Sequence, residues 1–438
     1  MQSRGPAPGA DRRSPGLRRA GRGANKFLGF ALSMAVLAAA SLAVIPALID
    51  AGGAAAWGHL AAGQSVGAIA AVVVAFGWGL SGPARIARSD EPQRRREYTE
   101  SLVTKLMIFA PAALVAAGSS YLLGGDHGAL AAAGAVSACS IGLTANWVFV
   151  GLGKPYQMLL AETLPRAAGT VVGIVLMARG GGAMVGVLAQ LAGMVAAFAV
   201  ATLWVLRPWS HQHQVRLPRR PVTHVLREQR NGITSSVVSA VYASAPVVMV
   251  GLVASTVLPV YALLDKVQRQ INAAAAAYVT VLQGWVPRAS GGEALRRRVR
   301  LALLVSGAGC LLLAGVLAAV ARPLLSWLSR GQLAPSMLSM VLMAVIVAVT
   351  LFESVASRAC LTALDRLDVV ARATSIGSAV GVVLLLVGVL AWGVVGALSG
   401  VLAGLVLRLA VELVALRRGS RPPTTRSVLV PREASGLA

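Results

Sequence analysis

Three acid–base pairs sit four residues apart inside stretches otherwise oily enough for lipid: Glu162 with Arg166, Asp265 with Arg269, and Arg408 with Glu412. On an α-helix that spacing puts both partners on one face, where each neutralises the other. An ionised side chain at mid-bilayer costs roughly 2.5–3.5 kcal/mol on insertion scales, so each charge needs an account. Two accounts are open. The pairs make insertion tolerable and hold helices together, or they line a wet cavity, because a paired charge still avoids lipid. Lys266 differs, having no carboxylate three or four residues away. It either snorkels to the outer surface or lines a cavity for an anionic substrate. Lys105 lies five residues into an apolar run, where snorkelling to the cytoplasm competes with a place in the same cavity.

Other polar residues suggest gating or coupling rather than chemistry on a substrate. Asn146 stands beside Trp147 at the end of an apolar run, Asp50 closes another, and Glu353 lies near Arg358. The two carboxylates are candidates for proton uptake, although solvation at the interface accounts for both. Cys139, Cys310 and Cys360 are too far apart for a disulfide framework or a metal spacing. His211 and His213 read as part of a solvated basic loop rather than a metal site. No cofactor is implied, no catalytic constellation stands out, and the chain reads as a non-enzyme.

The elements that must position these residues are membrane spans. Of 438 residues, 56% are hydrophobic and 13% charged, about half the charge of a soluble chain. The apolar residues form runs such as 27–49, long enough to cross roughly 30 Å of hydrocarbon. These runs lack the period of two that barrel strands require. Twelve spans are expected, at 27–49, 60–82, 101–124, 129–152, 158–178, 184–206, 232–253, 258–286, 301–320, 335–356, 372–390 and 394–416. The net charge of +24 does not indicate nucleic acid, because the bases cluster between the apolar runs. With both termini inside, 32 Lys and Arg fall on the cytoplasmic side and three (Arg179, Arg322 and Arg330) outside. That bias sets the orientation of a multi-pass protein of the cytoplasmic (inner) membrane. Trp57, Trp204, Trp209, Trp327 and Trp392 fall near span ends, where amphipathic rings belong.

The fold class is therefore all-α, with twelve transmembrane helices. Residues 1–26 read as a disordered basic cytoplasmic tail, 27–206 as an N-lobe, 207–231 as a cytoplasmic linker, 232–416 as a C-lobe and 417–438 as a second tail. The lobes look related. GLSGPARIARS ends the second span and QGWVPRAS the eighth, while MVGVLAQLAGMV begins the sixth and GVVGALSGVLAGLV the twelfth, at offsets near 204 and 210 residues. Each lobe has six spans, so the two face the same way, related by a parallel pseudo-two-fold. Two such bundles leave a gap that can open to either side, which points to a transporter. Pro46, Pro111, Pro165 and Pro246 fall inside spans and can kink them.

Four stretches resemble a known family. They are Gly77-Trp78-Gly79-Leu80-Ser81-Gly82-Pro83; Trp147-Val148-Phe149-Val150-Gly151 with Lys154 and Leu164-Pro165-Arg166; Tyr261-Ala262-Leu263-Leu264-Asp265-Lys266 with Arg269; and Thr362-Ala363-Leu364-Asp365-Arg366. Together, over 27–416, the chain resembles the polysaccharide-transport, O-antigen flippase-like branch of the multidrug/oligosaccharidyl-lipid/polysaccharide exporter superfamily. The resemblance implies a two-lobed fold with a central cationic cavity and export of a polyprenyl-diphosphate-linked oligosaccharide. Basic side chains would meet the diphosphate. On that reading the cavity set is Arg166, Glu162, Lys266, Arg269, Asp265 and Lys105, with Asn146, Asp50, Glu353, Arg408 and Glu412 in gating or coupling. Partners would be the lipid-linked glycan, membrane lipids and a polysaccharide polymerase or assembly protein, with no nucleic acid. The chain departs from the pattern in one respect, since its first two spans carry no cation after Lys26. A cation-coupled multidrug exporter of the same fold is the alternative, and a non-transporting scaffold of an envelope-assembly complex a third reading.

Overall fold

A computed structural model describes residues 15–207, 236–237, 240–241, 243–289 and 291–418. Among the described residues every regular element is helical. In lipid the backbone must satisfy its own hydrogen bonds, and a helix does so within one segment. The N-terminal part comprises α1 (Pro15–Ala75), α2 (Trp78–Arg88), α3 (Glu91–Leu123), α4 (Gly128–Cys139), α5 (Asn146–Leu152), α6 (Pro155–Met158), α7 (Leu164–Ala178) and α8 (Ala183–Leu206). The C-terminal part comprises α9 (Ala243–Val253), α10 (Leu258–Trp285), α11 (Gly292–Leu328), α12 (Met337–Val355) and α13 (Leu367–Arg418).

Among the described residues eight helical stretches are long and apolar enough to cross a membrane. Two of them hold two expected spans each. The 61 residues of α1 break at Gly53, with φ 82°, and the 52 residues of α13 break at Trp392–Gly393. Only glycine takes such a φ without strain, so the ten-residue loop expected between the first two spans shrinks to that one break. The seventh expected span falls partly outside the described residues, with α9 as the longest described part of it, and the eighth, α10, forms a 28-residue helix that is not among the eight apolar stretches. The linker, the C-terminal tail and the His211–His213 pair also lie outside them, apart from Arg207, Arg417 and Arg418. Because α1 begins at Pro15, the last part of the segment read as a disordered tail is helical.

Three further boundaries differ. The second span stops at Ala75, where Phe76 (φ 43°) and Gly77 (φ 77°) turn the chain into α2. The fourth is broken: α4 passes into a 3₁₀ turn at Ser140–Leu143 and restarts as α5. The fifth opens with a π-helical segment, Leu159–Thr163, before α7. The cause of this last is Pro165, which has no N–H for the Ala161 carbonyl and whose ring clashes with it; a wider turn relieves both.

Helices α1–α8 pack mainly among themselves, as do α10–α13, and the two groups meet chiefly along α1 and α10. Small residues let backbones approach within each group. A Cβ on Gly193 of α8 would lie 2.8 Å from the Gly169 Cα of α7. A Cβ on Gly404, in the second arm of α13, would lie 2.6 Å from the Gly381 Cα in the first. These two seams recur about 210 residues apart, the offset found in the sequence. The main core (Trp57, Leu60, Leu258, Leu264, Leu325, Leu328 and their neighbours) draws on both groups and seals them together. Trp57 belongs to it, 1% exposed, and is no interface ring; Trp327 and Trp392, at 56% and 73%, are placed as expected.

Candidate functional site

Below that seal lies a cavity of about 270 Å³ between the two groups. It is lined by α1 (Ser41, Gln64), α4 (Ser137), α7 (Arg166, Thr170), α8 (Gln190) and α10 (Asp265, Lys266, Arg269), among others. Both arms of α1 contribute, because the break at Gly53 returns the chain past the same space. Four of the six expected cavity residues therefore converge, from opposite halves of the molecule.

Their partners differ from the sequence expectation. Asp265 and Arg269 do pair, Nε to Oδ2 at 2.5 Å, and Arg269 Nη2 also donates to the Ala243 carbonyl at 2.6 Å. Lys266 does not reach for the outer surface; its Nζ donates to Gln64 Oε1 at 3.3 Å, across the boundary between the halves. Gln64 was missed, although a lone amide in an apolar span was a signal. A second polar bridge between the halves, Gln270 Nε2 to Ser41 Oγ at 3.3 Å, lies close by. Arg166 makes no salt bridge with Glu162, although the two remain within electrostatic reach, and its Nε is buried without a hydrogen-bond partner. The π segment that contains Glu162 breaks the 3.6-residue period on which the pairing was inferred. The cavity thus presents three cations, Arg166, Lys266 and Arg269, against one carboxylate, Asp265.

Glu162 and Lys105 are absent from the cavity lining. Both are 3% exposed and grip the same peptide unit at the break in the fourth span. Lys105 Nζ donates to the Thr144 carbonyl at 2.8 Å, and the Glu162 carboxylate accepts from the Ala145 N–H in a short hydrogen bond. Where a helix breaks in an apolar setting its backbone groups lose their partners, and these two charges supply them. Lys105 therefore neither snorkels nor faces the cavity. Around it, Trp78, Tyr98, Trp147 and Phe149 form a separate small core. Tyr98 bonds Thr202 at 2.8 Å, and the Lys105 ammonium lies 5.8 Å from the Trp147 ring centre. Two of the motif stretches meet here, since a Cβ on Gly82 would fall 2.4 Å from Trp147 Cε3.

The gating candidates are dispersed. Asn146 is exposed at the start of α5. Asp50 pairs with Arg330 of the opposite half at 3.1 Å, on the sealed end that the charge distribution assigns to the outside. Glu353 pairs with Arg408 rather than with its sequence neighbour Arg358, which is exposed. Arg408 also holds Glu412 at 3.3 Å, as expected from their spacing.

Two helical groups closed at one end over a charge-lined cavity define the architecture of this polytopic, all-helical chain. No family model and no curated protein matches the sequence. Among solved structures the chain is similar to a multidrug resistance MATE family transporter of the MOP superfamily in its inward-facing conformation. Identity is 17%, covering 88% of this chain and all of that one, with a TM-score of 0.61. The outward-facing conformation of a MATE family transporter of the same superfamily (17% identity, 90% and 94% covered) and a MATE structure in a bent conformation (16%, 91% and 94%) each give 0.56. The fold is thus the MATE fold.

Proposed function

We propose that the chain is an alternating-access flippase for an amphipathic anion, a polyprenyl-diphosphate-linked oligosaccharide, moved across the cytoplasmic membrane for cell-surface polysaccharide biosynthesis. One observation carries this reading: Arg166 and Lys266 face one cavity from opposite halves, and neither is drawn into a salt bridge, Lys266 bonding the Gln64 amide instead. A half-buried cation outside any salt bridge keeps its donors free for a ligand, and an anionic head group is what such donors bind best. A site for organic cations would instead leave its carboxylates free, whereas Asp265 is held by Arg269. Arg269 and Asp265 frame the site, and Lys105 and Glu162 act indirectly by holding the broken fourth span. At about 270 Å³ the cavity suits a charged head group, and the glycan needs the wider states of the cycle.

The multidrug reading has its own support, since solved structures of this fold are multidrug resistance transporters. Deleting the gene separates the two. The flippase reading requires loss of surface glycan with lipid-linked intermediate accumulating inside. Intact glycan with altered dye or drug resistance would replace it with the exporter reading.

A further inference from the structure

Away from the cavity, a second group of charges joins α12 to the second arm of α13. Arg408 Nη2 lies 2.5 Å from Glu353 Oε1, and Arg408 Nε lies 3.3 Å from Glu412 Oε1. The side chains are 5%, 0% and 17% exposed for Glu353, Glu412 and Arg408. The first arm of α13 closes over them, since a Cβ on Gly377 would meet the Arg408 Cβ at 2.8 Å. Two carboxylates share one guanidinium, which leaves one uncompensated negative charge in an apolar setting. The hydrogen bonding is short by the same measure. Glu412 Oε2 is buried without a donor, and Glu353 Oε1, though close to Arg408, is not aligned for a hydrogen bond. The two carboxyl groups, from α12 and α13, close on the same guanidinium. Two carboxylates facing each other are all acceptor and no donor.

What is missing is therefore a positively charged donor. The guanidinium already fills the place a metal ion would take, and among the described residues no cluster of His, Cys, Asp and Glu could hold one. The other charged residues on the adjoining turns, Arg358 and Arg372, are exposed and make no ion pair with the three.

We propose that Glu353, Arg408 and Glu412 form a proton-binding site, with a single proton held between the Glu353 and Glu412 carboxyl groups. In that form the group is neutral and ties α12 to α13. If the seam between them opens to water, the O–H bond breaks, its electron pair stays on the carboxylate and the proton passes to solvent. Each opening then releases one proton, so the site offers a coupling step for the transport reading. It rests on that reading only for its use in a cycle, not for the binding itself.

Infrared spectroscopy of the purified full chain in lipid nanodiscs tests this without any transport assay. Near neutral pH the wild-type protein shows the C=O stretch of a buried protonated carboxylic acid. Glu353→Gln and Glu412→Gln each lose that band. A band that persists in both variants, or is absent from the wild type, overturns the proposal. Thermal unfolding gives a second reading should a spectrum be ambiguous. Each single Gln variant imitates the protonated partner and keeps the wild-type midpoint, whereas the Glu353→Gln/Glu412→Gln double variant strands Arg408 and melts lower than either. A double variant as stable as the singles, or singles that fall with the double, also overturns it.

Discussion

The clamp on the fourth span is open to a double-mutant cycle. Lys105 and Glu162 hold opposite sides of the Thr144–Ala145 peptide, both 3% exposed. Lys105→Met removes the donor to the Thr144 carbonyl and takes away one of the two cations near the buried Glu162, leaving Arg166. Breaking one side of a buried charge arrangement costs about 3–5 kcal/mol. Glu162→Gln keeps an acceptor for the Ala145 N–H but strands the Lys105 ammonium, at a similar cost. The double variant Lys105→Met/Glu162→Gln strands neither charge and loses only the hydrogen bond to Thr144, worth about 1.5–3 kcal/mol for a charged donor. The double variant should therefore be about 1–2 kcal/mol more stable than either single. Thermal unfolding in detergent, with the three variants beside the wild type, reads the order directly. A double variant destabilised by the sum of the singles would show that the two charges act independently and that the clamp is misread.

Further outcomes follow from the same geometry. Gly67→Ala places a Cβ 2.1 Å from the Ala135 carbonyl oxygen, so it should destabilise by about 1–3 kcal/mol. Gly118→Ala, whose Cβ meets nothing within 4 Å, should stabilise α3 by about 0.5–1 kcal/mol; unfolding midpoints that ranked the pair the other way would contradict the packing. Arg330→Ala removes the exposed bridge to Asp50, worth at most about 1 kcal/mol, so labelling of a Thr170→Cys reporter from the outer side should rise up to about fivefold, and a fall would argue against a sealing role. Arg269→Ala strands Asp265 and should depress surface glycan while the protein still reaches the membrane, as shown by complementation with a membrane-fraction blot.

Much of this architecture was legible in the sequence because hydrocarbon imposes a single demand on the backbone. Unbroken apolar runs located the helices, and the repeat offset anticipated the matching Gly169–Gly193 and Gly381–Gly404 seams. The convergence of Arg166, Asp265, Lys266 and Arg269 also followed from the cost of charge in lipid. Two of the misreadings share one cause, the assumption of a regular α-helix. The Glu162–Arg166 salt bridge is not formed across a π segment induced by Pro165, and the fourth span breaks at Ser140–Leu143, where Gly142 alone marked the place. Lys105 was placed by its depth alone, whereas its partner is a backbone carbonyl 39 residues on, which residue spacing does not encode. Glu353 and Arg408 are likewise joined only by tertiary packing.

The account turns on an anion passing between Arg166 and Lys266. The most direct measurement is translocation of a fluorescent polyprenyl-diphosphate-linked sugar in proteoliposomes by the wild type, Arg166→Gln and Lys266→Met. The wild type should flip the lipid, and each variant should slow it about tenfold to a hundredfold, the loss of one charge-assisted contact of about 1.5–3 kcal/mol. Variants that flip as fast as the wild type, or a wild type that moves an organic cation and leaves the diphosphate lipid in place, would contradict it.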